Sequence, residues 1–422
     1  MENKLYKVVF PFFIYAAISF FLAMGLLVLH SEVFLGFYIQ PNIIAITHIV
    51  VLAWATMIIL GCCYQLIPFM NHVDIYSYKI AYYSFVLLAF GIPMLIYAFF
   101  TLNFDYSAIV GGVCIVSSVG LVLVNLYKTL RVSNIMNINS IYILISIFLL
   151  FITVCIGLLM IVNFNYSFLS VHSLHYLSLH VHVGIAGWFL ILIIGVSSRL
   201  FPMFLVSTYL NDSLLKTILV TIHIGLFNYL LWHMDIIPTY FYWFSIAAFG
   251  SSICMYIYFC VQVYRNRFHK NNNTLLDLSG VSLIFLGVSV FITCLVTYFL
   301  DSYINLQLIK LFGIAIFLGW IAALILQMTF KILPYIVWTM KYSKHRNAIP
   351  YSPLLLYDKR VLTVMGYVYV TGIFSLIPGI IINESILLKC GSFLLLVTAL
   401  LYNYNVFKIL FYKPKISIHE TD

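Results

Sequence analysis

This sequence has very few charged residues. Only 8% of its 422 residues are Asp, Glu, Lys or Arg, and 64% are hydrophobic, with a mean hydropathy of +1.09. Soluble globular domains carry about 25% charged residues, so this composition excludes a soluble fold. The length is therefore interpreted as a number of membrane spans of about 20 apolar residues each.

Twelve stretches of the chain lack all four charged residue types. Each is long enough to cross a hydrocarbon core of about 30 Å as a helix. We therefore predict an all-α, polytopic membrane protein with twelve transmembrane helices, the first of them an anchor and not a cleaved signal peptide. The approximate ranges are 8–29, 43–66, 80–100, 107–127, 140–162, 177–198, 217–234, 238–262, 278–300, 311–330, 361–383 and 390–407.

The few cations are unevenly divided between the two sides. With the N-terminus in the cytoplasm, only Lys310 and Lys389 of the 21 Lys and Arg residues lie outside. The positive-inside rule then places both termini in the cytoplasm, and we expect a multi-pass protein of a bacterial-type cytoplasmic membrane. This topology accounts for the net charge of +9, so the expected partner is the lipid bilayer and not nucleic acid.

The sequence also lacks a disulfide framework and a Cys-x-x-Cys-His motif for haem attachment. All eight cysteines lie within or at the ends of the predicted spans, so free thiols are expected. The adjacent pair Cys62 and Cys63 is able to bind a soft metal such as Cu(I). Packing of small residues is the simpler interpretation of that pair.

A register of tryptophan and proline recurs three times in the chain. In each copy a tryptophan lies fourteen residues before a proline and follows Ala or Gly: Trp54 and Pro68, Trp188 and Pro202, Trp320 and Pro334. The spacings predict a single membrane domain, 1–422, built from three four-helix repeats at approximately 1–134, 135–271 and 272–422. An even number of spans separates the copies, which implies a pseudo-threefold axis along the membrane normal. Each proline is expected to end its helix.

Histidines follow the same register. His48 and His182 each precede the proline of their copy by twenty residues, whereas Ile314 occupies that position in the third copy. His180 adds an imidazole on nearly the opposite side of the sixth helix. Because intramembrane ionisable residues mark functional sites and imidazole is the commonest metal ligand, we predict that His48, His180 and His182 bind haem or metal. The alternative for any one of them is an interhelical hydrogen bond.

Two further histidines belong to the seventh helix. His223 lies inside it and His233 lies at its predicted outer end. We predict metal ligation by His180, His182, His223 and His233. Three more histidines, His30, His172 and His175, lie in predicted outer loops or helix entries, where solvated interface residues are expected.

Twelve helices in three four-helix arcs, with histidines in the outer half of helices 2, 6 and 7, resemble subunit I of the haem-copper oxidase superfamily. The segments Thr47-His48 through Pro68 and His180-Val181-His182-Val183-Gly184 through Pro202 look most like the short cytochrome oxidase subunit I-like and NnrS-type members. The resemblance implies that His48 ligates a low-spin haem. It also implies that His180 or His182, with His233, ligates copper beside an active-site haem.

Some features of that family are missing. Helix 10 reads Leu311-Phe312-Gly313-Ile314-Ala315 and has no histidine, and the turn after His182 has no tyrosine to cross-link. The predicted spans also contain no carboxylate or lysine for a proton channel. Proton-pumping oxygen reduction is therefore not expected.

The resemblance and the histidines together predict a haem- and/or copper-binding membrane protein that acts in nitric oxide or respiratory redox chemistry. If the protein is an enzyme, it is an oxidoreductase whose electrons come from quinol or a cytochrome and whose ligand is a small diatomic. One alternative is a transporter or assembly factor for copper or haem, with Met203, Met234, Cys62 and Cys63 as soft partners. Another is a degenerate, non-catalytic subunit.

Overall fold

The computed structural model describes residues 2–133, 136–268, 278–299, 304–342 and 352–412, with side chains described for 7–339 and 352–412 within those ranges. The described residues contain twelve helices long and apolar enough to cross a membrane and no β-strand. The predicted all-α, polytopic fold is confirmed. The repeat boundaries at 134/135 and 271/272 lie outside the described residues, as do some cations used for the orientation: Lys270, Lys344, Arg346, Lys413 and Lys415.

The spans are numbered α1 to α12 in chain order. They are α1 Lys7–Leu29, α2 Pro41–Asn71, α3 Tyr78–Thr101, α4 Tyr106–Arg131, α5 Ile138–Tyr166, α6 Ser173–Leu205, α7 Asp212–His233, α8 Phe241–Arg265, α9 Leu278–Tyr298, α10 Ile304–Thr339, α11 Lys359–Ile381 and α12 Ser385–Leu410. Several extend beyond their apolar stretches and include cations there, such as Lys216 of α7 and Lys331 of α10. Long cationic side chains near helix ends can reach the headgroups of a bilayer.

The chain packs as two compact units. The first comprises Met1–Gln65, Asp277–Ser282 and Phe317–Asp422, and the second comprises Leu66–Leu276 and Leu283–Ile316. The core of the first unit is aromatic: Phe20 stacks on Trp54 with ring centroids 4.1 Å apart, and the edge of Tyr402 meets both rings. The Tyr402 hydroxyl lies 3.2 Å from the hydroxyl of Thr329.

Helices α2, α6 and α10 share an irregularity. Each contains a π-helical segment, which is rare in proteins and recurs at functional sites. The segments are Ile49–Thr56, Val183–Leu190 and Ile314–Ala322, and each ends twelve residues before the proline of its copy. Each also contains its buried tryptophan. The π-helical segments therefore recur in the same register as the tryptophans and prolines.

The prediction that each proline ends its helix was wrong. The helices continue past Pro68 to Asn71, past Pro202 to Leu205 and past Pro334 to Tyr342. A proline removes one intrahelical hydrogen bond, but side chains can hold the final turn. Asn71 does so in α2, because its Nδ2 donates to the Ile67 carbonyl and to the Ser140 hydroxyl, both at 2.8 Å.

The hairpins α3–α4 and α11–α12 are held by the same glycine contact. A Cβ on Gly91 would lie 2.6 Å from the Gly111 carbonyl oxygen, and one on Gly111 would lie 2.9 Å from the Gly91 carbonyl oxygen. Gly372 and Gly391 face each other in the same way, at 3.2 and 2.9 Å. Small residues let membrane helices approach this closely.

An asparagine clamp completes the match between these two hairpins. Asn125 accepts from the Ser77 amide at 3.0 Å and donates to the Ser77 carbonyl at 2.9 Å. Asn405 makes the same two bonds with Asp358, at 2.9 and 3.1 Å. All four matched positions are related by an offset of 280 or 281 residues, so the first and third copies share the register of their second hairpin.

Candidate functional site

His48 and His182 occupy the same place in their helices. Each is the last α-helical residue before a π-helical segment. The Nδ1 of His48 donates to the Ile44 carbonyl and that of His182 to the Ser178 carbonyl, both at 2.8 Å. Because a carbonyl oxygen only accepts, Nδ1 carries the hydrogen. Nε2 is then the acceptor nitrogen of the neutral ring, as in haem and metal ligands whose other nitrogen is held by a backbone carbonyl.

His180 faces the other side of α6. Its Nδ1 donates to the Thr153 carbonyl of α5 at 3.0 Å. Gly157 of α5 leaves room for this ring, since a Cβ there would lie 3.1 Å from the His180 Cε1. His182 instead packs on α7, where its ring stacks on Tyr229. The predicted divergence of the two imidazoles is therefore confirmed, and they do not share one site.

Four near-parallel rings form a column between α6 and α7. In order they are His182, Tyr229, His233 and His175, which we call the ring column. Successive ring centroids lie 4.1, 6.1 and 4.5 Å apart, with interplanar angles of 18°, 16° and 24°. The column runs from an exposed histidine, His175, to a histidine beside the π-helical segment.

Ser178 ties the column to α6. Its hydroxyl hydrogen-bonds the hydroxyl of Tyr229, and its carbonyl accepts the hydrogen bond from His182. Tyr229 is only 1% exposed, so both its ring and its hydroxyl are fixed. Tyr229 also contacts Trp232, which packs on Tyr242 of α8.

His233 carries a buried polar atom with no explanation inside the protein. The residue is 8% exposed, and its Nε2 has no hydrogen-bond partner among the described residues. A buried donor or acceptor without a partner costs about 1–3 kcal/mol. Such an atom is expected where a ligand completes the site.

The structure does not bring the four predicted metal ligands together at one point. His182 and His233 belong to the ring column, His180 faces α5, and His223 lies ten residues before His233 on α7. No group of three or more His, Cys, Asp or Glu side chains within the described ranges is placed to hold a metal ion. Of the soft residues, Met203 follows Pro202 at the opposite end of α6 from His182, whereas Met234 directly follows His233 at the end of α7.

Sequence reasoning did not find three members of this site. His175 was expected to be a solvated histidine, and Tyr229 and Ser178 were not singled out. A signal existed for the last two, since each lies four residues before a histidine of the site and so shares its helical face. His175 had no such signal, because it lies in the short 3₁₀ segment Ser173–Tyr176 at the entry of α6.

No known family model and no curated protein matches this chain. The assignment therefore depends on the donor set itself. Stacked rings direct their in-plane lone pairs into parallel planes, so His175 and His233 do not converge on one ion. A copper ion held by several imidazoles does not fit the column as it stands.

Haem makes a smaller demand on the protein. It supplies four nitrogen ligands to its iron and requires only one or two axial side chains. An imidazole whose Nδ1 is held by a carbonyl and whose Nε2 can ligate meets that demand. His48 in the first unit and His182 in the second each fit this role.

Proposed function

We propose that this chain is a haem-binding membrane protein that acts in nitric oxide or respiratory redox chemistry. The observation that carries the proposal is the matched placement of His48 and His182. Both lie at the start of a π-helical segment, and both have Nδ1 held by the carbonyl four residues earlier. A histidine of this kind at two equivalent positions supports ligation over an isolated interhelical hydrogen bond.

The residues around His182 hold its imidazole in place. The Ser178 carbonyl holds the imidazole in one tautomer and orientation and increases the basicity of Nε2. Tyr229 packs on the face of the ring and prevents it from rotating. When bound, haem supplies iron chemistry that side chains lack, namely binding of a diatomic ligand or one-electron transfer. The diatomic itself is apolar and reaches such a site through the bilayer.

The visible spectrum and metal content of the purified protein test the proposal. We expect a Soret band after haem-replete expression, and we expect His182→Ala and His48→Ala each to lower bound haem. His223→Ala is the matched control, because His223 makes the same bond to the Leu219 carbonyl at 2.7 Å but has no adjoining π-helical segment. A colourless wild-type preparation would refute haem binding. Equal loss in all three variants would show that these histidines act only in folding.

A further inference from the structure

Helix α7 forms the floor of an open groove between α5 and α8. The groove has a volume of about 590 Å³, with Ile145 of α5 on one wall and Phe244 of α8 on the other. On the floor, Val220, Ile224 and Phe227 are 57%, 46% and 63% exposed. In a membrane-spanning bundle, exposed apolar side chains of this kind meet lipid or another membrane helix.

The groove follows the axis of α7. Its lining on that helix runs from Leu219 to Leu231, which is about 18 Å at 1.5 Å per residue. A long groove with one helix as its floor and a helix on each side has the shape that receives the side chains of a further helix.

Hydrogen bonds at two levels hold the groove walls. The Tyr142 hydroxyl of α5 donates to the Leu215 carbonyl of α7 at 2.6 Å. Farther along α7, the Asn228 amide nitrogen donates to the Phe241 carbonyl and the Ser245 hydroxyl of α8, both at 2.7 Å. The groove is therefore a built feature of the fold.

Two hydrogen-bond acceptors interrupt the apolar lining. The Nδ1 of His223 donates to the Leu219 carbonyl, which leaves Nε2 as the acceptor of the neutral ring. Asn228 directs both amide hydrogens to α8, and its nitrogen must face the acceptor-only Phe241 carbonyl, so its Oδ1 is the remaining acceptor. Neither His223 Nε2 nor Asn228 Oδ1 has a hydrogen-bond partner among the described residues.

These acceptors lie deep in the membrane. His223 is eleven residues after the first residue of α7 and ten before the last, which places it about 15 Å from either end of the helix. At that depth a polar atom exposed to hydrocarbon is unfavourable. A lipid acyl chain fills the apolar space but cannot donate a hydrogen bond.

A second copy of this chain does not supply the missing donors. A twofold dimer through the groove is isologous and sets this face of α7 against itself, so acceptors would meet acceptors. Two hydroxyls share the face by their helical spacing, but both already donate: Thr217 to the Ser213 carbonyl at 3.1 Å and Thr221 to the Thr217 carbonyl at 2.8 Å. The complementary surface therefore belongs to a different protein.

We propose that this groove binds a transmembrane helix of a partner protein, whose contacting face carries N–H or O–H donors near the middle of the bilayer. Two donors about one turn apart bond to His223 Nε2 and Asn228 Oδ1, which are five residues apart on α7. Apolar side chains of the partner pack on Phe227 and Phe244. Polar side chains of this kind hold membrane helices together. The ring column contributes no described residue to the groove lining, so the inference does not depend on haem binding at His182.

Photocrosslinking to synthetic helices in phosphatidylcholine vesicles tests this inference. The purified protein carries p-benzoylphenylalanine in place of Val220, in the groove, or in place of Ile284, which is 66% exposed on α9. The probe is a leucine-rich transmembrane peptide with two Asn residues four positions apart at its centre, and the comparison peptide has Leu at both positions. We expect the Asn peptide to crosslink at Val220 and not at Ile284, and the all-Leu peptide to crosslink weakly at both.

Titration of the Asn peptide against variants identifies the contacts. His223→Leu is expected to weaken binding about threefold, as for one interhelical hydrogen bond in a membrane. Ile224→Trp fills the groove, keeps both acceptors and is expected to abolish binding. Ile18→Trp is its matched control and should bind as wild type, because Ile18 of α1 is 47% exposed and lies outside the groove lining. Thr371→Val should also bind as wild type, since it removes an exposed hydroxyl that donates to the Tyr367 carbonyl in α11.

Three outcomes would overturn the inference. Equal crosslinking of the two peptides at Val220 would make the groove a general apolar surface, and unchanged binding in His223→Leu would show that the acceptor has no part in recognition. Crosslinks through Val220 between two copies of this chain, without peptide, would assign the face to self-association. If His223→Leu fails to fold, the comparison of Ile224→Trp with Ile18→Trp still decides.

Discussion

Backbone carbonyls fix the tautomer of three candidate ligands, one each in α2, α6 and α7. His48, His182 and His223 each bond the carbonyl four residues earlier at 2.7–2.8 Å. The helix itself therefore fixes the tautomer, and no acidic side chain is required in the membrane to do so. This is consistent with spans whose apolar stretches contain no carboxylate.

The hydrogen bond between Tyr229 and Ser178 is expected to couple α7 to α6. Tyr229→Phe keeps the stacked ring and removes the hydroxyl, while Ser178→Ala removes the other partner. Because interhelical hydrogen bonds in membranes contribute about 0.6 kcal/mol, we expect a coupling energy of that size in a double-mutant cycle. Thermal or denaturant unfolding of the four proteins in detergent measures it, and strictly additive effects would show that the bond contributes nothing.

At the level of helices, the sequence predicted correctly those features that depend on the residues of a single helix. The apolar stretches located all twelve spans, and the tryptophan-proline register located α2, α6 and α10. The match between hairpins α3–α4 and α11–α12 was missed because its residues are 280 or 281 positions apart, which differs from the spacing of the tryptophans and prolines. The connection from α10 to α11 is longer than that from α2 to α3, so an alignment based on the prolines loses Gly372 and Gly391.

The ring column was harder to predict for a different physical reason. It requires the approach of two helices, which depends on side-chain shapes along both of them and not on the period of either one. His175 joins because it lies in the 3₁₀ segment at the entry of α6, where its ring stacks on His233 of α7. The histidines of the helices were selected from the sequence. Tyr229 and Ser178 could have been found from their spacing to those histidines, but His175 could not.

Glycine substitutions at a tight helix contact and at an open position should affect thermal stability differently. Gly91→Ala places a Cβ 2.6 Å from the Gly111 carbonyl oxygen and must separate the helices, so its melting temperature should fall. Gly366→Ala in α11 meets nothing within 4 Å, and alanine is the better helix former by about 1 kcal/mol. Its melting temperature should be unchanged or raised. Equal losses for the two variants would show that the contact is not tight.

The N-terminus of α11 should respond to pH. Hydrogen bonds from the Val361 and Arg360 amides lower the pKa of Asp358, with a further contribution from Lys408. A lowered folded-state pKa means that the stabilisation is present above the unfolded pKa of about 3.9 and is lost as the pH falls through the lower folded value. The stability difference between wild type and Asp358→Ala should therefore persist at pH 5–7 and narrow below about pH 4. Unfolding at several pH values measures it, with Asp358→Asn, which retains a capping side chain, as the control.

For the whole molecule, charge is the property that decides orientation. One of the two cations on the predicted outer side is paired, because Lys389 lies 2.7 Å from Glu32. The hydrogen bond from Lys389 is also the main cause of the lowered pKa of Glu32. The positive-inside rule counts Lys and Arg and gives acidic residues little weight, so the predicted orientation depends on the excess of inner cations and not on this ion pair.

Fusions to topology reporters test the orientation directly. If both termini are cytoplasmic, a fluorescent protein fused after Asp422 should fluoresce, and alkaline phosphatase fused at that position should be inactive. Phosphatase inserted after Asp235, in the connection from α7 to α8, should be active because an odd number of spans precedes it. The inverse pattern would place the histidine end of α6 and α7 in the cytoplasm. The ring column would then open to that compartment through the exposed His175, and any soluble electron donor or ligand would have to approach from the cytoplasmic side.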